Sequence, residues 1–335
     1  MSPRLVIVPR ALALGLALAA ALGACSGGGN QTAAPSTATG SGAVGSSAAA
    51  CATAPSVGDD LPGWGPPAAA PELTPFIIAS PGQLVCGPNR VLFTVLDTDG
   101  RPAGAPELAT KVEFFNLGRD PAAPIATADG AFIWAIEGVR GIYAADVTFP
   151  EAGRYGAAFT VGGGDPIRLT FDVQPTSAVV KVGDRAPASK TPTLASVGGD
   201  VSRISTDSTP DPKLYETSVD AALSEHVPFV LIFATPKFCT SAQCGPTLDK
   251  LKPYVAKYPT VTFINVEPYK LKLVDGVLEP ELNAENQLQT APTTDEWHLF
   301  NEPHLFVVDR DGIVRASFEL MFSDQELTTA LDAVK

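Results

Sequence analysis

Phe229-Val230-Leu231-Ile232-Phe233-Ala234 runs directly into Thr235-Pro236-Lys237-Phe238-Cys239-Thr240-Ser241-Ala242-Gln243-Cys244-Gly245-Pro246. The apolar run, rich in β-branched and aromatic residues, predicts a buried strand. The loop after it carries two thiols with four residues between them, and Pro246 falls where the first turn of a helix tolerates a missing amide. Two thiols at the exit of a strand can close a small ring and open it again without a cofactor. On a regular helix, residues five apart point about 140° from one another and rise about 7.5 Å. A disulfide wants Cα atoms roughly 4.4–6.8 Å apart. The spacing therefore predicts either that Cys239 stays in the loop, ahead of the helix, or that the first turn unwinds on oxidation.

Outward from this stretch the pattern stays that of alternating helices and strands. Upstream, residues 214–226 form an amphipathic segment with Val219, Leu223 and Val227 at helical spacing, stopped by Pro228. Downstream, Leu248, Leu251, Val255 and Tyr258 mark one face of a second helix, and residues 260–266 form the next strand. Residues 267–300 are a mixed insertion with two short helices expected. A hairpin follows, turning at Asp309-Arg310-Asp311-Gly312. Ser323-Asp324-Gln325-Glu326 is a capping box opening a last helix with Leu327, Leu331 and Val334 on one side. This order is that of an α/β sandwich.

These residues carry a resemblance. From about 180 to 335 the chain resembles a thioredoxin-like domain: Val182-Gly183-Asp184-Arg185-Ala186-Pro187 is similar to that fold's lead-in, the cysteines follow the first core strand, and Glu302-Pro303 stands just before the hairpin. The Asp309–Gly312 turn further resembles membrane-anchored oxidoreductases of the TlpA type. The resemblance implies that Cys239 is the nucleophile, Cys244 the resolving thiol and Pro303 a cis-proline shaping the substrate groove. The substrate would be a protein disulfide or thiol, with no cofactor.

The four-residue spacing departs from the two residues of thioredoxins and is similar to the Cys-Thr-x-x-x-Cys run of bacterioferritin-comigratory peroxiredoxins. That likeness implies a thiol peroxidase, in which a sulfenic acid on Cys239 is resolved by Cys244. The surroundings depart from it, with Pro236 where those enzymes carry Thr and Pro303 where they carry Arg. A helix N-terminus and Lys237 would favour the Cys239 thiolate, while Phe238 and the apolar strand would disfavour it. Two further alternatives stay open. One is a non-catalytic binding lipoprotein with a structural disulfide. The other is a copper-handling protein combining Cys239 and Cys244 with His226, His298 or His304.

Residues 76–175 read differently. About seven short strand-like segments are split by turns such as Asp97-Thr98-Asp99-Gly100 and Gly162-Gly163-Gly164-Asp165, which predicts an all-β sandwich. Phe149-Pro150-Glu151-Ala152-Gly153-Arg154-Tyr155 resembles the corner of immunoglobulin-like domains, where a tyrosine hydroxyl bonds back to the chain. This region has no histidine and only Cys86 for sulfur, so it is expected to be a spacer or a module for a partner protein.

Arg4 and Arg10 followed by the apolar run 11–22 read as an export signal, too short to span a bilayer comfortably. Leu22-Gly23-Ala24-Cys25 resembles a bacterial lipobox, which implies lipid on Cys25 and a place on the extracytoplasmic face of the cell membrane. Outside the cytoplasm cysteines tend to pair. Cys51, Cys86, Cys239 and Cys244 allow three pairings, of which Cys239/Cys244 with Cys51/Cys86 is favoured, although Cys51 could equally be free. The expected layout is a signal peptide at 1–24, a Gly/Ala/Ser/Pro-rich disordered tether at 25–75, an immunoglobulin-like sandwich at 76–175, a lead-in at 176–212 and a thioredoxin-like domain at 213–335. Across 335 residues, 45% apolar content and 18% charge indicate a largely globular chain, and a net charge of −13 argues against nucleic acid as a partner.

Overall fold

In the first half, alternation of apolar and polar residues builds two antiparallel sheets. The computed structural model describes residues 51–58, 60–79 and 83–335. The expected signal peptide, Cys25 and the tether as far as residue 50 lie outside the described residues. Strands β1 (Thr74–Ile78), β2 (Gly87–Leu96), β3 (Thr110–Asn116), β4 (Ala126–Asp129), β5 (Ala131–Ile136), β6 (Arg140–Phe149), β7 (Gly153–Val161) and β8 (Ile167–Val173) form sheets of order β1-β2-β6-β5 and β4-β3-β7-β8. Every second residue points into the space between them. Val91, Phe93 and Val95 of β2 and Tyr143, Val147 and Phe149 of β6 share one core with Val112 and Phe114 of β3 and Tyr155, Ala157 and Phe159 of β7. Phe93 lies 4.9 Å from Phe159 and 5.2 Å from Tyr143, centroid to centroid. Each such ring contributes about 1.5–3 kcal/mol through burial. The Tyr155 hydroxyl donates to the Glu151 carbonyl at 3.0 Å and accepts from Asn116 Nδ2 at 3.1 Å, fixing the turn between β6 and β7.

Parts of the stretch 51–75, expected to belong to the tether, pack against this body, among them Trp64. Ala54 N donates to Ala152 O and Ala152 N to Ala52 O, both at 2.8 Å, and Cys51 and Cys86 sit at disulfide distance with Cα atoms 6.3 Å apart. Trp64 is buried against Phe115 and over Gly156, its Nε1 donating to Pro121 O at 3.2 Å. A Cβ at position 156 would stand 2.1 Å from the Trp64 ring, so only glycine admits the indole there.

In the second half, strands β9 (Phe229–Phe233), β10 (Thr262–Val266), β13 (His304–Val308) and β14 (Val314–Glu319) make a mixed sheet of order β10-β9-β13-β14. Thr262 pairs with Phe229 in the parallel ladder, and His304 pairs with Phe233 in the antiparallel one. Between β10 and β13, β11 (Leu271–Val274) and β12 (Val277–Pro280) form a hairpin turning at Asp275-Gly276. The four helices are α1 (Val219–Ser224), α2 (Cys244–Lys257), α3 (Pro292–Glu296) and α4 (Asp324–Val334). Where two short helices were expected in 267–300, there is one, α3, and a hairpin, because Asp-Gly at positive φ suits a two-residue β-turn.

All five residues of β9 are buried. Val230 and Ile232 pack with Leu248, Leu251 and Val255 of α2 and Leu327 and Leu331 of α4. Phe229, Leu231 and Phe233 pack on the opposite face with Val219 and Ala222 of α1 and with Trp297. The residues read as a lead-in also belong to this packing rather than to a free linker. Ala186 N donates to Gly312 O at 2.8 Å, Val314 N to Asp184 O at 3.0 Å, and Ser189, Thr191 and Ser205 are buried. The capping box opening α4 is complete, Ser323 Oγ accepting from Glu326 N while Glu326 reaches back to Ser323 N.

The two bodies meet through a third apolar cluster. Leu92, Ile133, Ala135, Ile142 and Ala144, on the outer face of the first sheet, pack with Met321, which follows β14. Arg90 clasps Glu326 with two bonds, at 2.6 and 3.2 Å. The described residues accordingly cluster as one unit rather than two. None of the helices among them is long and apolar enough to cross a membrane.

Candidate functional site

The strand β9 ends at Phe233, and the chain leaves it through Thr235 and Pro236 to reach Cys239 in the loop, while Cys244 is the first residue of α2. Cys239 and Cys244 sit at disulfide distance, with Cα atoms 5.9 Å apart. Of the two arrangements the spacing allowed, the chain takes the one with Cys239 outside the helix. The sulfurs differ in access: Cys244 is fully buried, and Cys239 is partly exposed. Cys244 N donates to Cys239 Sγ at 3.1 Å, so an otherwise unpaired amide at the start of α2 points at the outer sulfur. Gln243, the N-cap residue, gives α2 no side-chain cap.

The segment before β13 closes the other side. The Glu302–Pro303 peptide is cis, and the Glu302 carbonyl accepts from Ser241 Oγ at 3.0 Å, which itself lies 3.3 Å from Cys239 Sγ. Cys239, Cys244 and the Glu302-Pro303 turn are thus brought together. The Glu302 side chain was not foreseen. It is buried, and Oε1 accepts from Thr240 N and Thr240 Oγ1, each at 2.9 Å, while Oε2 accepts from Tyr269 OH at 2.7 Å. Burial, with the Glu302 carboxylate beside it, pushes the Tyr269 phenol well above its usual range. Among the described residues, Cys239, Cys244 and Glu302 form a group whose possible ligand atoms lie within 4.8 Å of one another.

Gln243 ties the loop to the sandwich. Its Nε2 donates to Ala135 O at 2.5 Å and to Thr247 Oγ1 at 3.4 Å, and its Oε1 accepts from Arg140 Nη2 at 3.2 Å. Ala135 stands at a register shift in the β5–β6 ladder, which leaves its carbonyl free to turn toward the helix. A small apolar pocket of about 200 Å³ lies along this seam, lined by Ile78, Ile142, Ser241, Gln243, Leu320 and Met321 among others.

The chain matches no known family model and no curated protein. The site has therefore to be read from its own geometry.

The remaining candidates are placed elsewhere. The Lys237 Nζ donates to Leu278 O at 3.2 Å. The copper alternative required a histidine, and none joins the cysteine group. His226 is exposed, its Nδ1 3.2 Å from Arg310 O, and His298 lies in the turn after α3. His304 is buried, stacked on Phe306 with centroids 4.4 Å apart, its Nε2 2.8 Å from Ser317 Oγ. Burial lowers the His304 imidazole to a pKa of about 3, consistent with a neutral structural ring. Glu267, at the end of β10, accepts from Thr206 N at 2.6 Å and Thr206 Oγ1 at 2.8 Å, and burial pushes its carboxyl upward.

Proposed function

We propose that the chain is an extracytoplasmic thiol–disulfide oxidoreductase that cycles Cys239 and Cys244 between dithiol and disulfide. The single observation that carries the reading is the asymmetry of the pair: one sulfur is reachable and receives a helix amide, and its partner is buried behind it. A substrate thiolate attacking Cys239 Sγ would form a mixed disulfide and expel the Cys244 thiolate, whose charge takes up a proton. A second substrate thiolate would then displace Cys239, leaving an oxidised substrate disulfide and a reduced pair. Run backwards, the same two exchanges reduce a substrate disulfide. The α2 amides nearest Cys239 favour its thiolate as leaving group or nucleophile.

The mixed sheet with helices on both faces, a cysteine pair after β9 and Pro303 before β13 supports reading the C-terminal part as thioredoxin-like. The two-sheet body and its tyrosine corner support an immunoglobulin-like sandwich. Lipid on Cys25 would hold the whole at the membrane. The outer face of the first sheet, packed on Met321 and Leu320, makes the sandwich a neighbour of the redox loop before it is a surface for any further protein.

Equilibration of the purified protein in glutathione and dithiothreitol redox buffers, with alkylated cysteines mapped by mass, tests the reading. A pair that opens and closes with the fold intact is the expected result. A pair that stays oxidised until the chain unfolds would overturn it. That outcome would favour a structural disulfide, which the bonds from Thr240, Ser241 and Gln243 around the ring would suit. In that case Cys239→Ser and Cys244→Ser would leave function intact.

A further inference from the structure

We infer that the reduced Cys239/Cys244 pair and the Glu302 carboxylate bind one divalent cation of the zinc class. The inference rests on the pair being openable, as proposed above, and adds an activity that disulfide exchange does not require.

Three potential donors already converge within 4.8 Å of one another. Zinc holds thiolate sulfur at about 2.3 Å and carboxylate oxygen at about 2.0–2.2 Å, which places tetrahedral neighbours roughly 3.5 Å apart. Small movements of the loop side chains therefore suffice. The donor set selects the metal. Two soft thiolates disfavour magnesium and calcium, and a buried carboxylate as third ligand suits zinc better than a monovalent copper ion.

The carboxylate is held as a metal ligand needs to be. Thr240 N, Thr240 Oγ1 and Tyr269 OH donate to it, occupying three of about four acceptor positions and fixing its plane. One acceptor position is left for a cation. Cys239 is partly exposed, which leaves this side of the group accessible to a water or to a ligand supplied by another molecule.

The steps balance. A dithiol donor gives two electrons and two protons to the Cys239–Cys244 bond and becomes a disulfide, leaving two thiols. Entry of the cation displaces both thiol protons to solvent as two metal–sulfur bonds form. A substrate disulfide takes the two electrons of the pair and, with two protons from solvent, leaves as two thiols while the Cys239–Cys244 bond re-forms; both sulfur ligands are lost and the ion is released, so loading is gated by redox state.

The test uses the full chain, reduced with a phosphine, desalted without oxygen and titrated with zinc chloride against a chromophoric chelator. Alkylation and mass mapping count free thiols at 239 and 244 in the same sample. The expected result is one zinc per chain, dependent on reduction, with both mapped thiols protected. Cys239→Ser or Cys244→Ser should abolish binding, which also excludes Cys51 and Cys86 as the ligands. Glu302→Gln should weaken affinity roughly 10–100-fold. Should Glu302→Gln fail to fold, Tyr269→Phe, which removes only an orienting bond, should still weaken it measurably. Free thiols at both positions with no zinc bound, or unchanged affinity in the folded Glu302→Gln or Tyr269→Phe protein, would overturn the metal site and leave the exchange reading standing. No thiols at 239 and 244 in the folded protein would overturn the exchange reading and the metal site with it.

Discussion

Replacing Gln243 with alanine tests whether the sandwich governs the Cys239/Cys244 pair. The Gln243 carboxamide is 2% exposed and makes three bonds: to Ala135 O, to Thr247 Oγ1 and from Arg140 Nη2. Two join neutral groups, at about 0.5–1.5 kcal/mol each, and the third involves a guanidinium that is only half-buried and is discounted accordingly. The truncation also strips a buried carbonyl, Ala135, of its donor. A loss of about 1–3 kcal/mol follows. Gln243 lies inside the ring closed by Cys239 and Cys244, next to the buried sulfur, so its bonds hold the loop in the closed form. To the extent that reduction loosens this loop, the lost energy falls on the disulfide. For a two-electron couple about 1.4 kcal/mol corresponds to 30 mV, which gives a potential roughly 20–60 mV more oxidising in Gln243→Ala. Glutathione redox titration reads the potential, and urea unfolding of the oxidised protein reads the stability. A stability loss of this size with a potential unmoved beyond about 10 mV would refute the coupling and reduce Gln243 to an ordinary contact between the two bodies.

Three other outcomes are expected. Gly156→Ala places a methyl group 2.1 Å from the Trp64 ring, so the indole should leave its seat, with red-shifted tryptophan emission and about 1–3 kcal/mol lost; unchanged emission would contradict the packing. Tyr155→Phe removes the bond to Glu151 O and one of the two acceptors of Asn116 Nδ2, and should cost about 1–2 kcal/mol in chemical denaturation, with no change in the state of the cysteines. The pH dependence of stability should carry two opposed contributions. Burial raises Glu319 from 4.5 to about 7, so its contribution is complete below pH 4.5 and is lost as pH rises through about 7. Burial lowers His304 from 6.5 to about 3, so its contribution is present above pH 6.5 and is lost as pH falls toward 3. Glu319→Gln should remove the loss on the alkaline side and keep the acid one; an unaltered profile in thermal melts would count against the burial of that carboxyl.

Strands with period-two alternation were legible because burial on one face writes itself into the sequence. Residues 91, 93 and 95 and residues 155, 157 and 159 fall into the same core. The strand β4 was not legible: Ala126-Thr127-Ala128-Asp129 is a short edge whose inward face is two alanines, too small to stand out as an apolar pattern. The β11–β12 hairpin carried a readable Asp275-Gly276 turn, but its short flanks, Leu271-Lys272-Leu273-Val274 and Val277-Leu278-Glu279-Pro280, show no sustained period-two alternation of apolar and polar residues and are largely exposed, and helix was expected there. At the site, the cysteines and Pro303 announced themselves by type and position. Glu302, Tyr269 and Gln243 did not, because their roles exist only across separations of 62, 33 and 108 residues, to Thr240, Glu302 and Ala135 respectively. The apolar outer face of β2, β5 and β6 looks from sequence like part of a sandwich core, and only the docking of Met321 shows what covers it.

The Cys51–Cys86 link also sets how the molecule bears a pull. Tension reaching Cys51 from the N-terminal side passes across the sulfurs to Cys86, one residue before β2, and bypasses the 35-residue interval between them. β2 is flanked by β1 on one side and β6 on the other, so the load enters a central strand and is resisted by two ladders in shear. The bridge at Ala52, Ala54 and Ala152 and the seat of Trp64 stay slack. Opening this one bond would reroute the load into those contacts, which would peel one after another, and the chain would gain reach at its N-terminal end while the Cys239–Cys244 loop, far along the path, felt none of it.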